Sequence, residues 1–266
     1  MKGFSREEIE AEMALRFLAR ANPPPTLFRY RGPSDWAIDE ISKQQLYAAN
    51  PEELNDPFEC CAPVVWNVDL LRRQFVEGFA LRYGVSTTDA EKEFESSFKW
   101  GMEKLLDRWK TTMTQTGIVC FSAIPNSIRM WAYYAQAHQG ICIGYDTKVR
   151  PFDVALEVKY KNPETAFDVI AATESDPTEI AANITFRKSE EWEFEKEYRI
   201  ASNLGDIRQM PFHPSAIKEI RLGARINANP KFKERLLEAI SQLPHRPKLI
   251  QMGCDFGQFI LTETVI

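Results

Sequence analysis

The sequence predicts an α+β protein with a mixed, mostly antiparallel central sheet and helical insertions. Three observations lead to this fold class. With 266 residues, 44% of them hydrophobic and 12% aromatic, the chain can bury one large core. Two short apolar runs at 117–122 and 140–145 flank a helical segment, which predicts a strand, helix, strand unit. A long stretch of helical spacing at about 68–112 is inserted between elements of the sheet.

The N-terminal part of the chain divides at its prolines. Apolar residues within 5–20 have helical spacing, and the prolines at 23–25 prevent that helix from continuing. We therefore predict a helix and a proline linker at 1–25, followed by one domain at 26–266. The next predicted elements are a strand at 27–30, a helix from about 34 with Trp36, Ile38 and Ile41 buried, extended structure at 46–48 and a turn-rich loop at 50–59.

The rest of the domain continues as a mixture of helices and strands. Phenylalanines at helical spacings, with a break near 84–88, predict that the insertion is a helical hairpin. The helix of the strand, helix, strand unit is predicted to begin near Asn126 and to stop at Gly140. The remaining predicted elements are strands at 156–161, 198–201, 217–223, 249–252 and 259–265 and helices at 163–187 and 230–243.

Charge and cysteine usage argue against several classes of protein. The formal net charge of −5 disfavours a strong uniform field for nucleic acid. The five cysteines show no C-x-x-C spacing, which disfavours structural zinc and a disulfide framework and favours a reducing compartment. Residues 1–20 lack the basic start and apolar run of a signal peptide, and no segment has the length of a membrane span. We expect a soluble cytoplasmic protein with no membrane partner and no extensive nucleic-acid surface.

The charged segment 195–199 is the first candidate site. The period of two in a strand would place Glu195, Glu197 and Arg199 on one face. Two carboxylates so placed can separate in pKa while the guanidinium keeps one of them ionised, and this is how sites assign acid and base roles. The alternative is a solvated face of an edge strand, where charges prevent aggregation.

The helix predicted at 127–138 carries further candidates. Ile128 and Trp131 fall at core spacing, whereas Arg129, Tyr134 and His138 present polar tips elsewhere. The helix begins just after a strand, and its N-terminus is a natural place for an anion such as a pyrophosphate. His138 has a structural alternative, a favourable charge at a helix C-terminus, and no second His lies at metal-ligand spacing.

An early cluster, Arg29-Tyr30-Arg31, is expected to lie beside the loop 55–59. Arginine suits phosphate because its guanidinium offers a bidentate fork. The sequence contains no G-x-G-x-x-G and no P-loop, which disfavours conventional dehydrogenases and kinases. It also lacks a G-x-S-x-G elbow and an H-E-x-x-H helix, so the hydrolases built on those motifs have no support.

Six segments carry motifs that occur together in one known family. They are Leu27-Phe28-Arg29-Tyr30, Asn55-Asp56-Pro57-Phe58-Glu59, Val119-Cys120-Phe121-Ser122, Met130-Trp131-Ala132-Tyr133-Tyr134-Ala135, His138-Gln139-Gly140-Ile141-Cys142-Ile143 and Trp192-Glu193-Phe194-Glu195-Lys196-Glu197-Tyr198-Arg199. In this order, over about residues 27–223, they resemble the bacterial family of unknown function DUF2971. One departure is Tyr133, which stands where the family usually has His, although a phenol can still donate a hydrogen bond.

The layout of this family is similar to that of ADP-ribosyltransferases, in which an early strand bears Arg and a late strand bears Glu-x-Glu. The resemblance implies NAD as co-substrate, no metal, Glu197 as catalytic carboxylate and Glu195 as the neighbour that positions the acceptor. A carboxylate would stabilise the oxocarbenium-like ribose that forms as nicotinamide leaves. Arg29 would contact the NAD phosphates, and Ser122 and Tyr134 would shape the nicotinamide pocket. The other residues assigned to the cofactor are Tyr30, Asn55, Asp56, Arg129, Trp131, His138 and Arg199.

Two other functions stay open at this point. A metal-dependent nuclease would bring four carboxylates together at a divalent metal, those of Asp56, Glu59, Glu195 and Glu197. A non-catalytic binding module would tie Glu195 and Glu197 into ion pairs with Arg199 and Lys188. A transferase would instead place Glu197 opposite Arg29 in a cleft. Its acceptor could be a protein, a nucleic acid or a small molecule, and bacterial relatives with this layout often serve as toxins or in phage defence.

Overall fold

The computed structural model describes residues 19–60, 64–65, 68–161, 167–168, 185–203, 205 and 207–266. These residues form helices around a mostly antiparallel central sheet, which confirms the predicted α+β class. Residues 5–18 of the helix predicted at 5–20 lie outside the described residues. The same holds for residues 163–166 and 169–184 of the helix predicted at 163–187. The division of the chain at residue 25 stays a prediction.

The element bounds are as follows. The strands are β1 (Thr26–Arg31), β2 (Gln45–Tyr47), β3 (Val64–Val65), β4 (Thr116–Ser122), β5 (Ile141–Asp146), β6 (Leu156–Glu157), β7 (Lys159–Tyr160), β8 (Phe167–Asp168), β9 (Arg187–Lys188), β10 (Glu197–Asn203), β11 (Gln209–Pro211), β12 (Ile217–Leu222), β13 (Lys248–Asp255) and β14 (Ile260–Val265). The helices are α1 (Asp35–Ser42), α2 (Val68–Tyr83), α3 (Thr87–Gln115), α4 (Ile128–Tyr133) and α5 (Pro230–Ser241).

Strands β8 and β9 correct the helix predicted at 163–187. β8 pairs in parallel with β3, and β9 pairs in parallel with β7. Pairing with distant strands therefore decides the structure at these residues, and the local helical spacing does not.

The central sheet has eight strands in the order β14-β13-β12-β5-β1-β4-β10-β6. Neighbouring strands are antiparallel, except that β12 and β13 are parallel. The larger core covers one face, where Tyr145 stacks on Phe152 with ring centroids 4.3 Å apart and helices α1 and α5 pack together. A smaller core on the other face surrounds Trp131, which is fully buried. Burial on both faces explains why the central strands are continuous apolar runs.

Helices α2 and α3 form the predicted helical hairpin and have a small core of their own. Phe94 is buried there against Val76 and Ala90, and Phe75 and Phe79 pack around them. The hairpin lies in the chain between β3 and β4. In the described part of the chain, no helix combines the length and the apolar composition that a membrane span requires.

Two predicted core positions and one helix end are wrong. Trp36 is 64% exposed, because helix α1 buries the side that carries Ile38 and Ile41. Ile128 is also exposed, at the first position of α4. That helix ends at Tyr133, well before the predicted stop at Gly140. Gln136, Ala137 and His138 follow in the left-handed region, with φ of 46°, 53° and 68°.

Candidate functional site

A cleft opens within the central sheet, between β1 and β4. These two strands are paired at Phe28 and Ser122, whereas β1 pairs with β5 along its whole length. Further along β4, Ile118 pairs with Ala49 instead, through backbone hydrogen bonds of 2.8 and 2.9 Å. The segment after β2 therefore pairs with β4 at a position where β1 does not. Because the strands separate, side chains from both faces of the sheet reach the same space.

The cleft has a volume of about 370 Å³. Seven of the predicted site residues line it: Arg29, Tyr30, Asn55, Ser122, Tyr134, Glu195 and Glu197. Glu197 is paired across the sheet with Ser122, which is paired with Phe28, so these three residues form a row over β10, β4 and β1. Arg29 follows Phe28 on β1. The cleft thus brings together Arg29, Tyr134 and Glu197, the arrangement that the transferase hypothesis required.

One wall of the cleft is a buried cluster of three carboxylates and two cations. Glu195 and Glu197 are only 3% and 4% exposed, so the alternative of a solvated strand face is wrong. Lys188 Nζ lies 2.8 Å from Glu195, 2.9 Å from Glu59 and 3.5 Å from Glu197. Arg199 holds Glu197 with two bonds of 2.7 and 3.0 Å and also reaches Glu59 at 2.7 Å. With all groups ionised, the cluster carries one negative charge more than its cations balance.

The two glutamates of this wall differ in pKa. Burial by itself would raise the pKa of Glu197, but Arg199 and Lys188 outweigh it and lower the pKa to about 2. Burial raises the pKa of Glu195, and the charge of Glu197 adds to this effect against the opposing effect of Lys188. Glu197 is therefore held in its charged form, whereas the surroundings of Glu195 oppose ionisation more than those of Glu197 do.

Glu195 reaches the cleft by a route other than the predicted one. It ends a 3₁₀ turn, Glu190–Glu195, and Lys196 then adopts a left-handed conformation with φ 46° before β10 begins. Strand periodicity therefore does not apply to Glu195. The Glu195 side chain nevertheless converges with that of Glu197, as predicted. The Tyr134 hydroxyl donates to Glu195 Oε1, and the Asn55 amide donates to that hydroxyl at 2.9 Å. These contacts orient the carboxylate toward the cleft.

The opposite wall is positively charged. Arg29 and Arg31 share one buried carboxylate, Glu40, at 3.7 and 2.6 Å, and Tyr145 also donates to Glu40 at 2.6 Å. Arg29 is 9% exposed, and its Nη2 donates to the Tyr47 carbonyl at 3.1 Å. Its Nη1 is buried without a hydrogen-bond partner among the described residues. Burial and the nearby Arg31 lower the pKa of Arg29. The buried Nη1 is the donor of this side chain that a ligand acceptor can satisfy.

Five predicted site residues lie outside the lining of the cleft. Arg199 stands behind Glu197, and Asp56 accepts from the backbone N–H of Phe58 at 2.9 Å. Trp131 is a core residue, and His138 stacks against its ring with centroids 6.3 Å apart. Arg129 is exposed, with its guanidinium 4.6 Å from the Phe194 ring centroid.

The pyrophosphate predicted at the N-terminus of α4 has no support from the geometry. That helix has six residues, and Ser127 caps it by accepting from the backbone N–H of Met130 at 3.4 Å. Residues 126–128 do not line the cleft.

Sequence reasoning did not assign Tyr47, Glu40 or Cys120 to the site. Tyr47 and Cys120 line the cleft, and Glu40 forms the ion pairs that hold Arg29 and Arg31. The alternation in β1 and β4 contains a signal for Cys120, which occupies the same face as Ser122. Glu40 gives a weaker signal, since it is a charged residue between Ile38 and Ile41 on the apolar side of α1.

A metal site gains no support from this arrangement. Glu59, Glu195 and Glu197 do converge, but the ammonium of Lys188 occupies the position among them that a divalent cation would need. Asp56 does not line the cleft, and among the described residues no group of three or more Asp, Glu, His or Cys side chains has a metal-binding arrangement. The ion pairs are instead those that the binding-module hypothesis requires.

A family model matches one segment of the chain. Residues 130–200 match the family described as protein of unknown function (DUF2971). This match confirms the predicted resemblance to DUF2971 over these residues. No curated protein and no solved structure matches the chain. The DUF2971 segment runs from α4 into β10 and contains Tyr134, Lys188, Glu195, Glu197 and Arg199. Glu59 of the carboxylate wall and Arg29 of the opposite wall precede it.

Proposed function

We propose that this DUF2971 protein binds NAD in the cleft and transfers its ADP-ribose to an acceptor. The observation that carries the proposal is the opposition of a cationic and an anionic wall in one cleft. Arg29 offers a buried Nη1 that has no hydrogen-bond partner in the described part of the chain and suits a phosphate oxygen. Glu197, held ionised across the cleft, suits the positive charge that develops on a ribose as nicotinamide leaves.

The chemistry assigns different tasks to the two glutamates. Nicotinamide leaves NAD with the electron pair of its C1′–N bond, and an acceptor nucleophile bonds to C1′ and gives up a proton. Glu197 stays ionised because Arg199 and Lys188 stabilise its charge. Glu195 receives the acceptor proton, because burial has raised its pKa. The Tyr134 hydroxyl orients Glu195 for this role.

A second candidate is a binding module that holds a ligand without turnover. The observation in its favour is that Glu197 already has both oxygens in ion pairs, with Arg199 and Lys188. Such pairs also occur where charge serves only to stabilise the fold. The two candidates share the Arg29 contact and differ in whether nicotinamide is released.

The test measures nicotinamide release from NAD by the protein and two variants, with and without cell lysate as a source of acceptor. We expect Glu197→Gln to reduce release by about 100-fold or more, since the charge that stabilises the ribose is lost. Glu193→Gln is the matched control, because Glu193 lies in the 3₁₀ turn just before β10, is exposed and, among the described residues, pairs only with Lys196 at 2.9 Å. Its release should equal that of the unmodified protein.

Folding is checked by circular dichroism, since Glu197 is buried. NAD binding without release in the unmodified protein would favour the binding module. Release that persists in a folded Glu197→Gln protein would contradict the assigned role of Glu197.

A further inference from the structure

A second chamber adjoins the cleft. Its volume is about 610 Å³, and it shares five lining residues with the cleft, Tyr30, Arg31, Tyr47, Glu53 and Tyr134. Its other side is formed by the exposed face of helix α1 and by residues of β2 and β11. A ligand that reaches Arg29 in the cleft can therefore extend past Arg31 into this chamber.

An aromatic corner stands at the outer side of this second chamber. Trp36 is 64% exposed, and its ring lies 5.8 Å from that of Tyr47 at an angle of 49°. Tyr47 is held in place because its hydroxyl donates to both oxygens of Glu53, at 2.9 and 3.0 Å. A solvent-exposed tryptophan ring beside a tyrosine ring of fixed orientation is the kind of surface on which a nucleobase stacks.

Polar groups of the chamber supply the remaining contacts that a nucleotide needs. Arg31 donates through Nε and Nη2 to Glu40 at 2.8 and 2.6 Å, which leaves its Nη1 directed to neither oxygen of that carboxylate. Asp39, Gln45 and Gln209 line the chamber and offer carboxylate and amide groups to the edge of a base. Arginine provides the phosphate contact and the amides provide the base contacts, as recognition of a nucleotide requires.

We infer that the second chamber binds a purine nucleotide, with the base on Trp36 and the phosphate at Arg31. Two sources share this chemistry. The nucleotide is either the adenylate half of the NAD bound in the cleft, or a separate nucleotide that serves as acceptor. The link to NAD rests on the proposed function, whereas the nucleotide site itself does not.

The test is calorimetric titration of AMP into the unmodified protein and into Trp36→Leu. We expect AMP to bind, and its affinity to fall by roughly tenfold or more in Trp36→Leu because base stacking is lost. Ribose 5-phosphate, which has no base, should bind equally weakly to both proteins. Tyr133→Leu is the control, since Tyr133 is another exposed aromatic residue and does not line either space. Failure of AMP to bind, or equal AMP affinity in Trp36→Leu, would overturn the inference.

Competition separates the two sources. If AMP and NAD exclude each other, one dinucleotide spans both spaces; if both bind at once, the chamber holds a separate nucleotide. The outcome is distinguishable from failure of the proposed function. Trp36-dependent AMP binding without nicotinamide release would contradict the transferase and leave the nucleotide site standing. Nicotinamide release with no AMP binding would support the transferase and contradict the nucleotide site in the second chamber.

Discussion

At the scale of single residues, Lys188 does most to hold the carboxylate wall together. Its ammonium contacts Glu59, Glu195 and Glu197, and it lies 4.7 Å from the centroid of the Trp192 ring. Burial alone would lower the pKa of Lys188, but the three carboxylates outweigh burial and raise it. Lys188 is therefore a permanent cation whose charge allows three acidic groups to stay buried together.

Removal of this cation should make stability depend strongly on pH. In Lys188→Met we expect a loss of about 3–5 kcal/mol in the free energy of unfolding at pH 8, since the buried carboxylates lose a partner. Glu195, whose pKa burial already raises, should then hold a proton in the folded state at a pH where it is ionised in the unfolded state. The folded state binds more protons there, so the stability of the variant rises as the pH falls.

The measurement is urea unfolding of both proteins between pH 8 and pH 5.5. Each unit by which the folded carboxyl pKa rises above pH 5.5 adds about 1.4 kcal/mol to the recovery of the variant over this window. Lys196→Met is the control, because Lys196 is about half exposed and, within the described ranges, forms an ion pair only with Glu193. It should change stability by less than about 0.5 kcal/mol at either pH. A Lys188→Met protein as stable as the original at pH 8 would contradict the role of Lys188.

At the scale of elements, the turn after α4 positions the residues around the cleft under backbone strain. Gln136, Ala137 and His138 are all left-handed, although none is glycine. Gly140 follows, and a Cβ there would lie 1.9 Å from the Arg31 carbonyl oxygen. The turn is thus pressed against the end of β1, which keeps Tyr134 beside the strand that carries Arg29.

The strain predicts a stabilising substitution. Ala137 has φ 53° and an exposed side chain, so Ala137→Gly removes the left-handed penalty and loses little packing. After the entropy cost of glycine, we expect a gain of about 0.5–1 kcal/mol in the free energy of unfolding. Thermal unfolding measures it as a higher Tm. Gly140→Ala is the opposite control and should cost about 2 kcal/mol or more. A lower Tm for Ala137→Gly would show that the turn is not strained.

At the scale of the whole molecule, the central strands could be predicted from the sequence because they are buried on both faces. Apolar runs mark β1, β4, β5 and β12 whatever their partners are. The positions that sequence reasoning placed wrongly are those whose burial or secondary structure depends on contacts with residues distant in the chain. Helical spacing suggested that Trp36 is buried, but it could not show that this side of α1 faces an open chamber.

The candidate site was predictable only in part, for a similar reason. Glu197 and Arg199 lie on one face of β10, as strand periodicity requires. Glu59 and Lys188 are far apart in the chain, and local patterns contain no information that places them in contact. The opening between β1 and β4 is also a property of strand pairing, so the cleft itself follows from topology and not from any motif.

The hairpin of α2 and α3 should unfold separately from the sheet. Its buried residues Val76, Ala90 and Phe94 form a cluster distinct from the main core. Phe94→Ala should remove about 3–5 kcal/mol from that cluster, which has few other buried side chains among the described residues. Because opening of a small unit requires less free energy than global unfolding, the loss should be confined to the hairpin.

Hydrogen exchange measured by mass spectrometry tests this separation. In Phe94→Ala we expect faster amide exchange over α2 and α3, with β1, β5 and β12 unchanged. Ile143→Ala is the control, since Ile143 is fully buried in β5 and its loss should accelerate exchange in the central strands. If Phe94→Ala accelerates exchange in β5 as much as in α3, hairpin and sheet form one cooperative unit. If exchange changes only in the hairpin, the NAD binding proposed for the cleft and the AMP binding proposed for the second chamber should be unaffected in this variant, because no described residue of the hairpin lines either space.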